Sequence, residues 1–192
     1  MSDTQTPVFT VFLGSKRLAS GALSNVALAA KKAIDKGTQL PVLIYNDATG
    51  RAVDIDTRGN DGEILSRLAR PIQEPQPRGR GRPKLGVVAR EVTLLPRHWQ
   101  WLGSQPGGAS VAIRKLVEAA RRTNQAADQR RERQEAAYHF ILSIAGNSLN
   151  FEEACRALFA DDALRFRELI ASWPADVIAH ALKLGFGDAS YA

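Results

Sequence analysis

The stretch VVAREVTLLPRHWQWLGSQPGGASVAIRKL, residues 87–116, sets the order of elements at the centre of this 192-residue chain. It begins with an apolar, β-branched run, Val87 to Leu95, which predicts a strand. Pro96 suits the first position of a helix, because proline lacks the N–H that would be unpaired there. We therefore expect a helix from Arg97 to Ser104, a break at Pro106-Gly107-Gly108 and a second helix from Ser110.

Residues 8–70 predict a small α+β unit with the outline ββαββα, so the chain as a whole is expected to be α+β. Two β-rich runs, Val8 to Leu13 and Ala19 to Gly21, predict a hairpin. Ser24 is a candidate N-cap for the first helix, and Gly37 is a suitable residue to end it. The remaining expected elements are strands at Pro41 to Tyr45 and Ala52 to Ile55, joined by a turn at residues 47–50, and a helix from Asp61 to Arg70.

The segments on either side of the quoted stretch differ in composition. Residues 71–86, PIQEPQPRGRGRPKLG, are rich in Pro and Gly and predict a linker without a packed core. Residues 87–122 hold the central strand and helices, and residues 123–192 predict a helical region. Residues 123–135 are polar all round, which fits either a solvated helix or a break between two helices. A capping box is expected at Asn150 and Glu153.

The positive charge is concentrated in the middle of the chain. The formal net charge is +6, and the isoelectric point is near 9.8. Residues 70–133 hold 14 Lys and Arg against 5 Asp and Glu, so the other 128 residues together carry −3. A local excess of this kind favours a polyanionic partner.

The run at residues 78–84 is the most basic part of this segment. Its core, Arg80-Gly81-Arg82-Pro83, is similar to the AT-hook, with Arg78, Gly79 and Lys84 beside it. The resemblance implies binding to the minor groove of double-stranded, A·T-rich DNA. A narrow A·T-rich groove attracts arginine through its negative potential, and glycine lets the backbone approach closely. The same residue types are also typical of a solvated basic linker.

The quoted stretch resembles the ribbon-helix-helix family in its order of strand, proline, helix, glycine turn and helix. The resemblance implies a homodimer in which a strand from each chain enters the major groove. It also implies that the start of the second helix, here Ser110 and Arg114, meets phosphate. A helix N-terminus is a suitable phosphate site on physical grounds as well.

The strand departs from the pattern of that family. Counting back from Pro96, the positions that face the groove correspond to Arg90, Val92 and Leu94, and two of these are apolar. Either the register differs, with Glu91 and Thr93 facing outward, or the element dimerises without reading base edges.

Further arginines follow on the second helix, at positions 121, 122, 130, 131 and 133. They could contact phosphates and add salt-dependent affinity. A solvated helix face, with Asp128, Glu132 and Glu135 as intrahelical partners, is the more common explanation for such a pattern.

We expect neither an enzyme nor a bound cofactor or metal. Gly14-Ser15-Lys16 lacks the spacing of a phosphate-binding loop. Surface or packing roles are expected for the three histidines, His98, His139 and His180, because no second ligand lies at metal spacing. Asp54 and Asp56 are expected on one face of a strand, as a solvated acidic edge. The lone Cys155 is expected in an apolar helix face and fits a reducing compartment.

The chain as a whole resembles a family of uncharacterised bacterial proteins, through GRGRPKLGVVAREVTLLPRHW at its centre, QPGGAS after it and WPADV near the end. No apolar stretch is long enough to predict a membrane span. The sequence therefore predicts a cytoplasmic DNA-binding protein, associated with the nucleoid or regulating transcription. The alternatives are a protein-interaction adaptor whose basic segment is only a tether, or an RNA-binding protein.

Overall fold

The computed structural model describes residues 7–69, 88 and 90–187. The chain divides into two compact units. The sheet unit comprises residues 1–71 and 128–192, and the central unit comprises residues 72–127. The predicted linker at 71–86 and the AT-hook-like run at 78–84 lie outside the described residues.

The described residues confirm the α+β class, with four strands and seven helices. The strands are β1 (Phe9–Leu13), β2 (Lys16–Gly21), β3 (Val42–Asn46) and β4 (Ala52–Val53). The helices are α1 (Leu23–Asp35), α2 (Asp61–Leu68), α3 (Pro96–Gly103), α4 (Gly108–Ala145), α5 (Phe151–Phe159), α6 (Ala163–Leu169) and α7 (Ala175–Phe186).

The four strands form one antiparallel sheet in the order β2-β1-β3-β4. β1 is central and pairs with β2 from Phe9 opposite Gly21 to Leu13 opposite Lys16. A bulge between Val11 and Phe12 leaves Leu18 of β2 without an opposite residue. Such a bulge bends an edge strand and makes it a poorer template for pairing with another chain.

Both faces of the sheet are covered within the sheet unit. On one face, Phe9, Val11 and Ile44 pack against α1. On the other face, Phe12 and Tyr45 pack against the last turns of α4 and against the C-terminal helices. This second core contains most of the buried apolar side chains of the unit, among them Phe140, Ile141, Leu158, Phe166, Ile170, Trp173 and Val177.

The strand predicted from Val87 to Leu95 is not found in the described part of that range, residue 88 and residues 90–95. A strand needs the hydrogen bonds of a neighbour, and the described sheet consists only of β1 to β4. An apolar, β-branched run alone therefore does not form a strand unless a second strand supplies those hydrogen bonds.

Two predicted helix caps are wrong. α1 begins at Leu23, and its N-cap is Ala22 rather than Ser24. The carbonyl oxygen of Ala22 accepts the first bonds, from the backbone N–H groups of Asn25 and Val26, without any side-chain cap. Asn150 makes no cap bond, because its φ of +61 lies in the left-handed region and not in the β region of an N-cap residue. Its side-chain amide donates to the carbonyl oxygen of Leu169.

The polar segment at residues 123–135 is a solvated helix and not a break, since α4 continues through it. Ion pairs within the helix support it, such as Arg131 Nη2 to Asp128 Oδ1 at 2.7 Å. Pro96 at the start of α3 is confirmed. The second predicted helix begins at Gly108, two residues before the expected Ser110.

Gly50 holds the turn between β3 and β4 against α4. Its φ is +64, and a Cβ added there would lie 1.7 Å from the carbonyl oxygen of Ala136. Gly37, which follows α1, has φ +73 and open space where a Cβ would be. Substitution of Gly37 therefore measures the energetic cost of a left-handed backbone alone. Substitution of Gly50 adds the cost of a collision with α4.

We expect Gly50→Ala to lower the free energy of unfolding by about 3 kcal/mol or more, because strain and a backbone collision add together. Gly37→Ala is the matched control and is expected to cost about 1 to 2 kcal/mol through backbone strain alone. Urea denaturation of the two variants measures both values. Equal losses in the two variants would contradict the close approach of Gly50 to α4.

Candidate nucleic-acid interface

Three residues expected to contact DNA lie in the described part of the central unit, namely Arg90, Ser110 and Arg114. All three are exposed. The other expected contacts, Arg78 through Lys84, fall outside the described residues.

The turn between α3 and α4 depends on two glycines with positive φ, Gly107 at +86 and Gly108 at +73. The backbone N–H of Gly108 donates to the carbonyl oxygen of Gln105 and closes this turn. The first N–H groups of a helix have no partner within the helix, and their dipoles favour a negative charge. Ser110 lies in this first turn of α4 and is exposed, so the turn is open to an anion.

Arg114 lies one turn further along α4. Its Nε donates to the carbonyl oxygen of Ser110 at 3.1 Å, which holds the stem of the side chain beside the first turn. The neighbouring Lys115 is exposed as well. Two cationic side chains therefore accompany the open N–H groups at the beginning of the helix.

An apolar groove of about 410 Å³ lies in the same unit, between residues 92–94, α3 and α4. It is lined by Val92, Leu94, His98, Trp101, Leu102, Ile113, Leu116 and Val117. Val92 and Leu94 thus face the helices, whereas Arg90, Glu91 and Thr93 do not line this groove. The two interpretations of the strand, a shifted register or dimerisation without base readout, both stay predictions.

The arginines of α4 are mostly paired with carboxylates. In the central unit, Arg121 and Arg122 share Glu118 at 3.7 and 3.4 Å. In the sheet unit, Arg131 pairs with Asp128 and Arg130 with Asp161. Asp128 was expected as a partner, whereas Asp161 is remote in sequence and could not have been found from helical spacing. These pairs are exposed and contribute little to stability.

A buried polar cluster in the sheet unit was not expected from the sequence. Oδ1 of Asp47, whose side chain is 10% exposed, accepts a hydrogen bond from the hydroxyl of Thr10 at 2.8 Å. Oδ2 of the same residue accepts one from Nζ of Lys183 at 3.2 Å. The Nε2 atom of His180 lies 3.6 Å from Oδ1. These residues come from β1, the β3–β4 turn and α7, so only the folded sheet brings them together.

His180 is completely buried, with its ring against Phe12 and Phe140. Neither ring nitrogen has a hydrogen-bond partner among the described residues. Burial lowers the pKa of His180 to about 4, and the nearby charges of Lys183 and Arg17 add to this effect while Asp47 opposes it. The ring is therefore neutral at neutral pH. The packing role expected for this histidine fits its position in the core.

The other candidates for chemistry have structural partners. Asp54 and Asp56 were predicted on one strand, but β4 ends at Val53. Hydrogen bonds from Arg58 lower the pKa of Asp56 to about 2. Burial raises the pKa of the Cys155 thiol, which leaves it a poor nucleophile. No group of three or more His, Cys, Asp or Glu residues suited to a metal ion occurs within residues 7–69, 88 and 90–187.

The comparisons with known proteins give one match. A family model described as "Uncharacterized protein conserved in bacteria (DUF2239)" matches residues 8–185, which confirms the family expected from the sequence. No curated protein and no solved structure matches the chain. Among the described helices, none is both long and apolar enough to cross a membrane.

We expect the buried His180 to make stability depend on pH. Its pKa in the folded chain, about 4, lies below the ordinary value of 6.5, so the unfolded chain takes up the proton first. Its contribution to the free energy of unfolding is complete above pH 6.5 and is lost as the pH falls towards 4, by on the order of 3 kcal/mol.

His180→Leu should flatten the pH dependence in this window. His139→Leu, at a partly exposed histidine, is the control. Denaturation curves at pH 7, 6, 5 and 4 measure the effect, and equal slopes in both variants would contradict it.

Proposed function

The chain belongs to the DUF2239 family of bacterial proteins, and we propose that this member binds double-stranded DNA through its central unit. The observation that carries the proposal is the separation of charge between the two units. The central unit holds ten Lys and Arg against three Asp and Glu, a balance of +7 in 56 residues. The sheet unit holds 16 against 17, a balance of −1. The positive charge thus belongs to one unit, as expected for a surface that neutralises phosphates.

The described basic side chains of the central unit are all exposed. They are Arg90, Arg97, Arg114, Lys115, Arg121 and Arg122. Only Glu91 and Glu118 oppose them within residues 90–127, and Glu118 is shared by two arginines. A net excess of positive charge therefore remains at the surface of this unit after its ion pairs are formed.

Two elements supply contacts of different kinds. The first turn of α4, with Ser110 and Arg114, is suited to a backbone phosphate, which positions a protein on DNA without reading its sequence. The AT-hook-like run at residues 78–84 supplies arginines for a narrow A·T-rich minor groove. The proposal places the protein in the cytoplasm at the nucleoid, as an architectural or regulatory protein.

We expect the double substitution Arg80→Ala with Arg82→Ala to weaken binding to an A·T-rich duplex about tenfold or more. The slope of log K against log salt should fall by about two, because two phosphate or groove contacts are lost. Fluorescence anisotropy between 50 and 200 mM salt measures both. Arg156→Ala with Arg165→Ala removes the same charge from exposed positions of the sheet unit and is expected to change affinity less than about twofold.

Two results of that experiment would overturn the proposal. One is an unchanged isotherm for the Arg80 and Arg82 double variant together with weak, salt-independent binding by the natural chain. The other is stronger binding to RNA of equal length in a competition with the A·T-rich duplex, which would favour an RNA-binding protein.

We expect Ser110→Asp to weaken binding to A·T-rich and G·C-rich duplexes alike, by about tenfold. The new carboxylate repels phosphate at the first turn of α4, yet it favours the helix itself, because a negative charge stabilises a helix N-terminus. Ser110→Asn has nearly the same shape without the charge and should change affinity less than about twofold. Equal affinities for these two variants would exclude the first turn of α4 from the interface.

A further inference from the structure

A small pocket, distinct from the apolar groove, lies where the end of α3 meets the beginning of α4. Its volume is about 160 Å³, and it is lined by Trp101, Gln105, Pro106, Ala112, Lys115 and Leu116. We call it the Trp101 pocket, because the indole ring of Trp101 is its largest side chain and is 51% exposed. Sites for whole small molecules usually measure roughly 300 to 1,000 Å³. The Trp101 pocket therefore has room for one flat group and not for a complete cofactor.

The last turn of α3 fixes a polar side chain beside the indole ring. The hydroxyl of Ser104 donates to the carbonyl oxygen of Trp101 at 2.8 Å, and Nε2 of Gln105 donates to the same oxygen at 3.3 Å. These bonds hold the amide of Gln105 at the pocket. Its oxygen, Oε1, accepts no hydrogen bond from the residues that the structure describes. The pocket therefore offers an acceptor that a ligand can use.

Lys115 gives the pocket a free cation. It is exposed, and no carboxylate in the described ranges forms an ion pair with it. The acidic residue three positions along α4, Glu118, pairs with Arg121 and Arg122 instead. Neither Asp nor Glu is among the residues that line the pocket. A ligand of the Trp101 pocket therefore meets an unneutralised positive charge and a hydrogen-bond donor.

A flat ring, an acceptor and a cationic donor together match the chemistry of a nucleotide. Any base can stack on an indole ring, because every base has a π-face. The edge of a base carries both donors and acceptors, which suit the Gln105 oxygen and the Lys115 ammonium group. The phosphate next to such a base also favours a cation. The first turn of α4, proposed above as a phosphate site, follows the same α3–α4 turn that contributes Gln105 and Pro106 to the pocket.

We infer that the Trp101 pocket holds one unpaired base of the bound DNA, as in a bulge or at a junction with single-stranded DNA. The inference rests on the proposed DNA binding and adds which DNA is preferred. The bases of a fully paired duplex are stacked inside the helix and cannot enter a pocket of this kind. An unpaired base leaves the stack at the lowest cost, so DNA that contains one should bind more tightly.

Fluorescence anisotropy with the full chain compares two A·T-rich duplexes of the same sequence, one of which has a single extra, unpaired adenine. The natural chain is expected to bind the bulged duplex about tenfold more tightly, as one stacked base accounts for. Trp101→Ala should reduce this ratio to less than about twofold and leave affinity for the paired duplex within about twofold. Trp101→Phe keeps a ring and should retain most of the ratio. Trp99→Ala is the matched control, because Trp99 is 44% exposed on the same helix but does not line the pocket.

A second variant keeps the test valid where Trp101→Ala loses helix content in circular dichroism. Gln105→Leu removes the free acceptor at similar size and should lower the ratio at least about threefold. An unchanged ratio in Gln105→Leu would then count against the inference.

The outcomes separate this inference from the proposed function. Equal binding of both duplexes by the natural chain would overturn the inference and leave DNA binding intact, whereas binding to neither would end both. Equal ratios in Trp101→Ala and Trp99→Ala would also overturn it. Deoxyadenosine monophosphate at about 1 mM is expected to leave the ratio unchanged. Loss of the ratio at that concentration would assign the pocket to a free nucleotide and contradict a base of DNA as its ligand.

Discussion

The structure depends on the burial of β1 from both sides. Val11 and Phe12 are both fully buried, although they point to opposite faces of the sheet. One face is covered by α1, which is close in sequence, whereas the other requires the end of α4 and the helices that follow it. Each such side chain contributes on the order of 2 kcal/mol when it leaves water. This face of the sheet is therefore covered only by residues more than 100 positions downstream of β1.

This requirement explains why the central unit lies between the two halves of the sheet unit in sequence. The chain leaves the sheet unit after α2 and returns to it within α4, at Asp128. The segment between carries the surplus positive charge, and within its described residues only Leu102 and Ala112 are buried apolar residues. The residues that stabilise the fold and those of the proposed binding surface thus belong to different units. The sheet unit has two apolar cores and nearly zero net charge, while the central unit offers charge, a helix N-terminus and an uncovered apolar groove.

Local sequence patterns predicted the structural features that depend on neighbouring residues alone. The β-rich runs marked the sheet strands, Pro96 marked the start of α3, and Gly37 after α1 has the positive φ that such a position requires. The cluster of Asp47, Thr10, Lys183 and His180 could not be predicted in this way, because its members are up to 173 positions apart and meet only through packing. The same holds for the ion pair between Arg130 and Asp161.

The strand at residues 87–95 shows the limit of such patterns most clearly. Its composition favours a strand, yet backbone hydrogen bonds need a second strand, and the described chain provides none. The sequence also left open which side of this segment faces the helices. The structure puts Val92 and Leu94 on that side, which a count back from Pro96 could not decide.

Hydrogen exchange with and without an A·T-rich DNA duplex tests the central claim most directly, that the central unit is the part of the chain that binds DNA. The full chain is compared in the absence and in the presence of excess duplex, with the amides of β1 as an internal reference. The account predicts that exchange at the beginning of α4 slows when the duplex is bound, while exchange in β1 stays the same. Unchanged exchange at the beginning of α4 in the presence of the duplex would contradict it.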